Sequence, residues 1–362
     1  MINDVLPEAW SIIRDWLPDD LNERAYKDGF FLRARGLSDA ELWLRLILMH
    51  VAGGLSLKQT VVRARELDLA EISSVALFKR LRRSQKWLQG LTGYLLAVQQ
   101  KKLGRFNWPY RYRLRIIDAS NIQEPGSTGT DWRLHYSIRL PELTCDHYEL
   151  TDDQGGEKLG CYHFEPDEMV LVDRGYSHRA GVAHVLDASA QVIFRWNPGL
   201  FPLEAPNGKP LVLLPRLRGL GEGQAAEWPV QFVWQQKTYA LRLCALRKGQ
   251  LAAQRALRRA QRKAEKNGTQ AQAEALELTA YVLVLTSDSS LPLQAVLELY
   301  RGRWQVELVF KRLKSLLDAG QLPKNDDASA LAWMQAKILT ALLVDRILLE
   351  GKFFSPWGFT LR

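Results

Sequence analysis

The spacing of apolar residues changes near residue 110 from a helical repeat to a two-residue alternation. Before that point, apolar positions recur every three or four residues in AELWLRLILMHVAGG and in WLQGLTGYLLAVQQ, which predicts an all-helical region over residues 1–105. Beyond it, the runs YRYRLRIID and WRLHYSIRL alternate, which is typical of strands. One face of the second run carries Trp132, Leu134, Tyr136 and Ile138.

Two short helices of the N-terminal region have recognisable starts. The segment SLKQ, from Ser56 to Gln59, has the spacing of a capping box, and Ser73 and Ser74 precede a second helix. That second helix would present Lys79, Arg80, Arg82 and Arg83. Two interpretations stay open: a DNA-binding helix-turn-helix, or a helix pair with a solvated basic face.

The runs after residue 160 predict an α/β core. The run EMVLVDRGY predicts a short buried strand that ends at Asp173. The run SHRAGVAHVLDA then predicts an amphipathic helix, and QVIFRW predicts another strand. With the two earlier strands, the order is β-β-β-α-β.

The remainder of the chain predicts further strands and then helices. Residues 190–246 contain the strand-like runs PLVLL, PVQFVW and TYALRLCALR without a helical pattern between them, which indicates a β-rich insertion. An Ala-rich helix over about 249–278, the strand YVLVLT and the long helix LQAVLELYRGRWQVELVFKRLKSLL follow. The last helix is ALAWMQAKILTALLVDRILLE.

Composition and charge narrow the class of protein. Of 362 residues, 47% are hydrophobic, which suffices for an extensive core in two or three domains. The formal net charge of +9 favours a polyanionic partner, with nucleic acid as the first candidate.

The sequence disfavours several classes of protein: zinc-binding, disulfide-linked, secreted and membrane-spanning proteins. Cys145, Cys161 and Cys244 lack the paired spacing of zinc sites or disulfide frameworks. The N-terminus does not resemble a signal peptide, and no apolar run approaches the roughly 20 residues of a membrane span. The expected location is the cytoplasm, in association with the nucleoid.

Two aspartates are candidate site residues. Asp118 and Asp173 each directly follow a short apolar strand, so both carboxylates should emerge at strand ends, where α/β sheets commonly place their sites. Either residue alone is more simply explained as a solvated turn aspartate.

The long helix carries a polar stripe beside its apolar face. At about 100° per residue, an arc of roughly 60° contains Tyr300, Arg303, Glu307 and Lys314. The alternative is a surface helix stabilised by Arg303–Glu307 and Glu307–Lys311 pairs. Together with the two aspartates, however, three acidic groups with flanking cations suit two-metal phosphodiester chemistry, for which Mg²⁺ prefers oxygen ligands.

These residues also carry a family resemblance. YRGRWQVELVFKRLK reproduces the Tyr-x2-Arg-x3-Glu-x6-Lys signature of bacterial DDE transposases of the insertion-sequence-4 type, while IIDAS and LVDRGY resemble their two aspartate motifs. The β-rich stretch resembles the insertion that interrupts their RNase H-like core. The match covers roughly residues 35–350 in order and spacing.

The resemblance implies a cut-and-paste transposase that nicks, forms a hairpin and transfers strands. Asp118, Asp173 and Glu307 would be catalytic and would bind two Mg²⁺ ions, with Mn²⁺ as a substitute. DNA contacts would come from Tyr300, Arg303, Lys311, Lys314 and Arg174, and from Tyr281 as the nearest aromatic for base stacking, with Trp228 or Trp234 as substitutes.

A basic stripe on the Ala-rich helix adds candidate DNA contacts. Its face carries Arg255, Arg258, Arg259, Arg262 and Lys266. The stripe could track a phosphate backbone, or it could be a solvated helix face.

The predicted organisation has four parts. They are a helical DNA-end-binding domain over 1–105, the first part of the RNase H-like core over 106–189, the β-rich insertion with its basic helix over 190–278, and the second core part with the C-terminal helix over 279–362. The expected partners are double-stranded DNA with terminal inverted repeats, target DNA, and a second copy of the chain in a homodimer. The alternatives are a catalytically decayed or domesticated DNA-binding derivative and another RNase H-like nuclease, such as a resolvase.

Overall fold

The computed structural model describes residues 6–32, 37–102, 111–124, 126–127, 129, 131–140, 144–152, 154–270, 272–303 and 327–351. The part of the chain before residue 103 contains helices joined by turns and loops, and no strand among its described residues. Its helices are α1 (Leu6–Arg14), α2 (Leu21–Lys27), α3 (Ala40–Val51), α4 (Leu57–Glu66), α5 (Ser74–Arg83) and α6 (Gln85–Lys102). No helix in the described ranges is both long and apolar enough to cross a membrane.

The predicted starts of α4 and α5 are confirmed. Ser56 and Gln59 form a capping box, and the Ser73 hydroxyl accepts a hydrogen bond from the backbone of Ala76. Arg80, by contrast, is not part of an exposed basic face. Its guanidinium donates to the carbonyl of Phe30 at 2.8 Å and lies over aromatic rings, so it stabilises the packing of α5.

The described strands form one eight-stranded sheet, in the order β3-β2-β1-β4-β5-β8-β7-β6. The strands are β1 (Arg113–Ile122), β2 (Trp132–Leu140), β3 (Thr144–Asp152), β4 (Glu168–Val172), β5 (Gln191–Arg195), β6 (Ala225–Trp234), β7 (Lys237–Arg247) and β8 (Tyr281–Thr286). Strand β1 runs antiparallel to β2 and parallel to β4, and β4 runs parallel to β5. Strand β3 was not predicted, because TCDHYELTD interrupts its apolar alternation with charged side chains.

Two other sequence predictions were wrong in detail. PLVLL is not a strand, and the short helix α8 (Leu214–Arg218) begins within it, with Pro215 in its first turn. The Ala-rich helix is two helices, α9 (Gln250–Lys266) and α10 (Ala273–Leu278). The break follows Asn267, where Gly268 adopts a φ of +63° that ends a helix readily.

Strands β6 and β7 extend the central sheet. Strand β7 pairs antiparallel with β8, which pairs antiparallel with β5. The stretch between β5 and β8 is therefore continuous with the rest of the sheet in its hydrogen bonding.

Helices cover both faces of the sheet. One apolar core joins α1–α6, α11 (Leu293–Gly302) and α12 (Asp327–Gly351) to the face that carries Leu114, Ile116 and Leu171. The other core joins α7 (Arg179–Asp187) and the segments around α8 to the opposite face, which carries Ile117, Val172 and Phe194. Strand β4 is buried along its whole length, as its continuous apolar run predicts.

A buried ion-pair network ties β1 to β2, β3 and β4. Arg115 lies 3.1 Å from Asp146 and 3.5 Å from Glu168. Arg139 reaches the same two carboxylates at 3.0 and 3.1 Å. Since both acidic side chains are almost fully buried, each depends on both guanidiniums for its solvation.

Replacing one carboxylate of this network should destabilise the protein strongly. We expect Asp146→Ala to lower the free energy of unfolding by about 3–5 kcal/mol, because it leaves two buried guanidiniums to share the single carboxylate of Glu168. Urea denaturation followed by circular dichroism measures the loss.

A matched control is Asp167→Ala, which removes an exposed ion pair with Arg113. Its loss should stay below about 1 kcal/mol. Equal losses in the two variants would show that burial does not govern this network.

Candidate active site

The register of β1 and β4 brings the two predicted aspartates together. The strands are parallel, and Ile117 pairs with Val172. The next residue on each strand is an aspartate, so Asp118 and Asp173 are neighbours on adjacent strands. The prediction that Asp118 ends its strand was wrong, because β1 continues to Ile122 in its pairing with β2. Asp118 instead lies where β1 loses its other neighbour, since β4 stops at Val172.

Helix α11 places two of the predicted residues over this pair. The Tyr300 hydroxyl donates to Asp173 Oδ1 at 3.0 Å. Arg303 Nη1 donates to Asp118 Oδ2 at 3.1 Å, and Arg303 Nε lies 3.9 Å from Asp173 Oδ1. One guanidinium thus bridges both carboxylates.

Asp288 fixes the start of α11. Its Oδ1 accepts hydrogen bonds from the backbone of Ser290 at 2.7 Å and of Leu291 at 2.6 Å. These bonds satisfy amides at the entry to the helix, and Asp288 itself is buried. The stripe of Tyr300 and Arg303 is therefore anchored to the end of β8.

Burial dominates the electrostatics of Asp118. It raises the pKa of this carboxyl from 3.8 to about 6, although the hydrogen bond from the Ala119 amide and the charge of Arg303 act in the opposite direction. Asp173 and Glu157 add to the rise by repulsion. Burial also raises the pKa of the Tyr300 hydroxyl, so this group is a hydrogen-bond donor at neutral pH.

Sequence reasoning missed the carboxylate of Glu157. Burial raises its pKa, and repulsion from Asp173 adds to the rise, whereas Arg133 and His178 oppose it. A Cβ on Gly175 would lie 1.4 Å from Glu157 Oε2, so the glycine makes room for this carboxylate. Glu157 lies in a loop, where no periodic pattern indicated it.

A cavity of about 1090 Å³ opens beside the carboxylate pair, and we call it the basic cavity. Its cations are Arg174, Arg195, Lys248, Arg255, Arg259, Arg301 and Arg303. Tyr281 and Tyr300 also line it. Six of the predicted site residues therefore share one cavity: Arg174, Arg255, Arg259, Tyr281, Tyr300 and Arg303.

Other predicted residues lie elsewhere. Arg262 is exposed on α9 and does not line the basic cavity, and neither does Trp228 or Trp234 on the edge strand β6. Tyr281 is only 4% exposed, with Arg247 above its ring. Glu307, Lys311 and Lys314 fall outside the described residues.

Comparison with known proteins identifies the class. Residues 163–343 match the family described as "Transposase DDE domain", a range that includes Asp173 and all of the predicted Tyr-Arg-Glu-Lys positions. The transposase for insertion sequence element IS421 of Escherichia coli is 34% identical over 366 residues, which cover 96% of each chain. The protein named transposase InsL for element IS186A, from Escherichia coli strain K12, is 34% identical over 365 residues, again 96% of each chain.

These matches indicate an enzyme that cleaves and rejoins DNA strands. The chain belongs to the DDE transposase family, and its full-length relatives are transposases of insertion sequences. DDE transposase domains act on DNA and generally use divalent metal ions.

The raised pKa of Asp118 predicts how the stability of the folded protein changes with pH. In metal-free protein at about pH 8, Asp118→Asn should raise the free energy of unfolding by about 1–3 kcal/mol. The folded carboxyl binds its proton more tightly than the unfolded one, so wild-type stability falls as the pH rises from 3.8 to about 6. Urea denaturation in EDTA at about pH 4 and about pH 8 should show the advantage only at the higher pH.

Asp131→Asn is a control that should change the free energy of unfolding in the opposite direction. A hydrogen bond from the Glu124 amide is the main cause that lowers the pKa of Asp131. This carboxylate stabilises the fold above its unfolded pKa, and the contribution is lost as the pH falls. The control variant should therefore be less stable than wild type at the higher pH. If Asp118→Asn raised the free energy of unfolding equally at both pH values, the raised pKa of Asp118 would be contradicted.

Proposed function

We propose that the protein is a cut-and-paste transposase of the insertion-sequence-4 type, with Asp118, Asp173 and Glu307 as its catalytic carboxylates. The observation that carries the proposal is the apposition of Asp118 and Asp173 on parallel strands beneath Tyr300 and Arg303. This acidic pair lies beside a cavity rich in cations, because Tyr300 and Arg303 contact the pair and also line the cavity, as cleavage of a polyanion requires.

The strand order supports an RNase H-like core. Strands β3-β2-β1-β4-β5 form an antiparallel set of three joined to parallel β4 and β5. Residues 197–278 contribute β6, β7, α9 and α10 between β5 and β8, which supports the interpretation of this stretch as an insertion. We propose the four-part organisation with boundaries near residues 105, 196 and 278, where 196 replaces the predicted 189 because β5 belongs to the core sheet.

The residues present fit a divalent metal. Asp118 and Asp173 supply adjacent hard oxygen ligands, and a bound cation would offset the burial that disfavours the charged form of Asp118. With Glu307 as the third carboxylate, they would hold two Mg²⁺ ions, or Mn²⁺ in their place. When bound, such ions activate the attacking oxygen and stabilise the leaving oxygen of a phosphodiester.

The chain's own cations would position the DNA. Arg303 contacts both carboxylates, and it is placed to exchange that contact for a phosphate once other positive charge reaches them. Tyr300 orients Asp173 through its hydroxyl. Exposed Arg255, Arg259 and Arg262 on α9 would follow the backbone beyond the site.

Further contacts in the proposal rest on the resemblance. Lys311 and Lys314, which lie outside the described residues, would meet phosphates, and Arg174 would do so from the residue after Asp173. Tyr281 would stack an unpaired base only after a rearrangement, since its ring is buried under Arg247. Trp228 and Trp234 are more exposed, although they lie on the edge strand β6.

The reaction would proceed on the terminal inverted repeats of the element. After a first nick, the freed 3′-hydroxyl would attack the opposite strand to form a hairpin, and hydrolysis and transfer into target DNA would follow. A homodimer would hold the two ends.

The decisive test is cleavage of a labelled duplex that carries the element's own terminal repeat. With Mg²⁺, the wild type should nick the duplex and form hairpins, and EDTA should abolish both products. Asp118→Ala, Asp173→Ala and Glu307→Ala should each lose cleavage by several orders of magnitude, because a metal ligand is lost. Their affinity for the duplex should change little, since the phosphate-contacting cations remain.

Asp19→Ala, at an exposed position near the end of α1, is the matched control and should cleave normally. Tight binding without cleavage under Mg²⁺ or Mn²⁺ would favour the decayed DNA-binding derivative. Cleavage that does not depend on the terminal repeat would favour a general RNase H-like nuclease.

A further inference from the structure

The oxygens through which the acidic pair would bind a metal ion already face donors of the chain itself. Asp118 Oδ1 accepts the backbone N–H of Ala119 at 2.8 Å, and Asp118 Oδ2 accepts Arg303 Nη1 at 3.1 Å. On the neighbouring strand, Asp173 Oδ1 accepts the Tyr300 hydroxyl at 3.0 Å and lies 3.9 Å from Arg303 Nε. The guanidinium is the one charged group among these donors, and it spans both carboxylates.

The contact between Arg303 and Asp118 is largely shielded from water. The two side chains are only 12% and 16% exposed, so solvent and salt screen their charges weakly. A guanidinium at this position carries positive charge into the place where a metal ion would bring it. Like charges a few ångströms apart repel strongly where screening is weak, so a divalent cation and this guanidinium compete for Asp118.

A second position is open to the same guanidinium. Arg303 lines the basic cavity as well as contacting the acidic pair. It directly follows the last turn of α11, so a rotation of its long side chain can carry the charge from Asp118 into the cavity without moving the helix. A DNA phosphate there would offer the paired oxygens that a guanidinium binds in a bidentate manner.

The two positions of Arg303 couple two ligands. A phosphate in the basic cavity draws the guanidinium away from the carboxylates, and a metal ion at the carboxylates favours the same displacement. Each ligand therefore raises the affinity for the other, and by the same factor, because the two binding equilibria share one side chain.

We propose that Arg303 is an autoinhibitory contact, which keeps metal ions from the Asp118–Asp173 pair until a DNA strand enters the basic cavity and takes the guanidinium. This inference rests on the proposed function and deepens it, because it adds an order of binding in which DNA precedes the metal. A chain that meets Mg²⁺ before DNA would keep its carboxylates covered, so that cleavage is confined to DNA already bound.

The first measurement is the affinity of the DNA-free full chain for Mn²⁺, followed by the electron paramagnetic resonance signal of the free ion. Arg303→Gln should bind Mn²⁺ about 5- to 150-fold more tightly than the wild type, because the competing charge is gone. Adding Asp118→Asn to this variant should abolish the gain, since the ion then lacks one of its carboxylates.

Arg301→Gln is the matched control for the loss of a positive charge. Arg301 is an exposed cation of α11 that lines the same cavity but forms no ion pair with either aspartate in the described part of the chain. Its charge is screened by solvent, so this variant should bind Mn²⁺ within about twofold of the wild type. Circular dichroism checks that each variant is folded. Arg303→Lys, which keeps the charge without the bridging fork, should show a smaller gain in the same direction.

The second measurement repeats the Mn²⁺ titration with a saturating duplex that ends at the terminal repeat. DNA should tighten Mn²⁺ binding more in the wild type than in Arg303→Gln, because only the wild type has a guanidinium to release. With DNA bound, the two proteins should have equal Mn²⁺ affinity.

The possible results separate this proposal from the proposed function. A folded Arg303→Gln that binds Mn²⁺ no more tightly than the wild type would overturn the autoinhibitory contact, even if the wild type cleaves the terminal repeat. A gain that survives Asp118→Asn would overturn it too, because the ion would then bind elsewhere. The expected gain in a protein whose wild type never cleaves would keep the contact and reject the transposase function.

Discussion

The parallel pairing of β1 with β4 is the constraint on which the rest of the site depends. Its register places Asp118 beside Asp173, and a shift by one residue would turn one of the two carboxylates to the opposite face. The network of Arg115, Asp146 and Glu168 ties the two strands together a few residues before the aspartates. Buried charges that could not be solvated in another register thus specify the geometry of the site.

The charged side chains of the site are only partly compensated by one another. Burial raises the pKa of Asp118 to about 6, and the guanidinium of Arg303 only partly offsets that rise. In the basic cavity, Arg195 and Lys248 repel one another. The fold thus keeps negative and positive charge apart in neighbouring places, where metal ions and phosphates would satisfy both.

Much of this arrangement could be predicted from particular residues. The two-residue alternation around Asp118, the apolar run before Asp173 and the helical spacing of Tyr300 and Arg303 all indicated elements that the structure contains. Glu157 could not be found in this way, because it reaches the site from a loop and its carboxylate occupies space that a side chain at Gly175 would fill. Nor could the sequence show that Arg80 packs inward, since only tertiary structure brings three aromatic rings beneath it.

The pairing of β7 with β8 has a consequence for how this chain could vary. Strand β8 is joined to β7 along six registered residue pairs, and its apolar side chains are mostly buried. Removing residues 197–278, which follow β5, would leave one side of YVLVLT without hydrogen-bond partners, as an exposed apolar edge that could pair with other chains. The segment therefore protects the sheet from aggregation, and a shorter version would need another way to cover that edge.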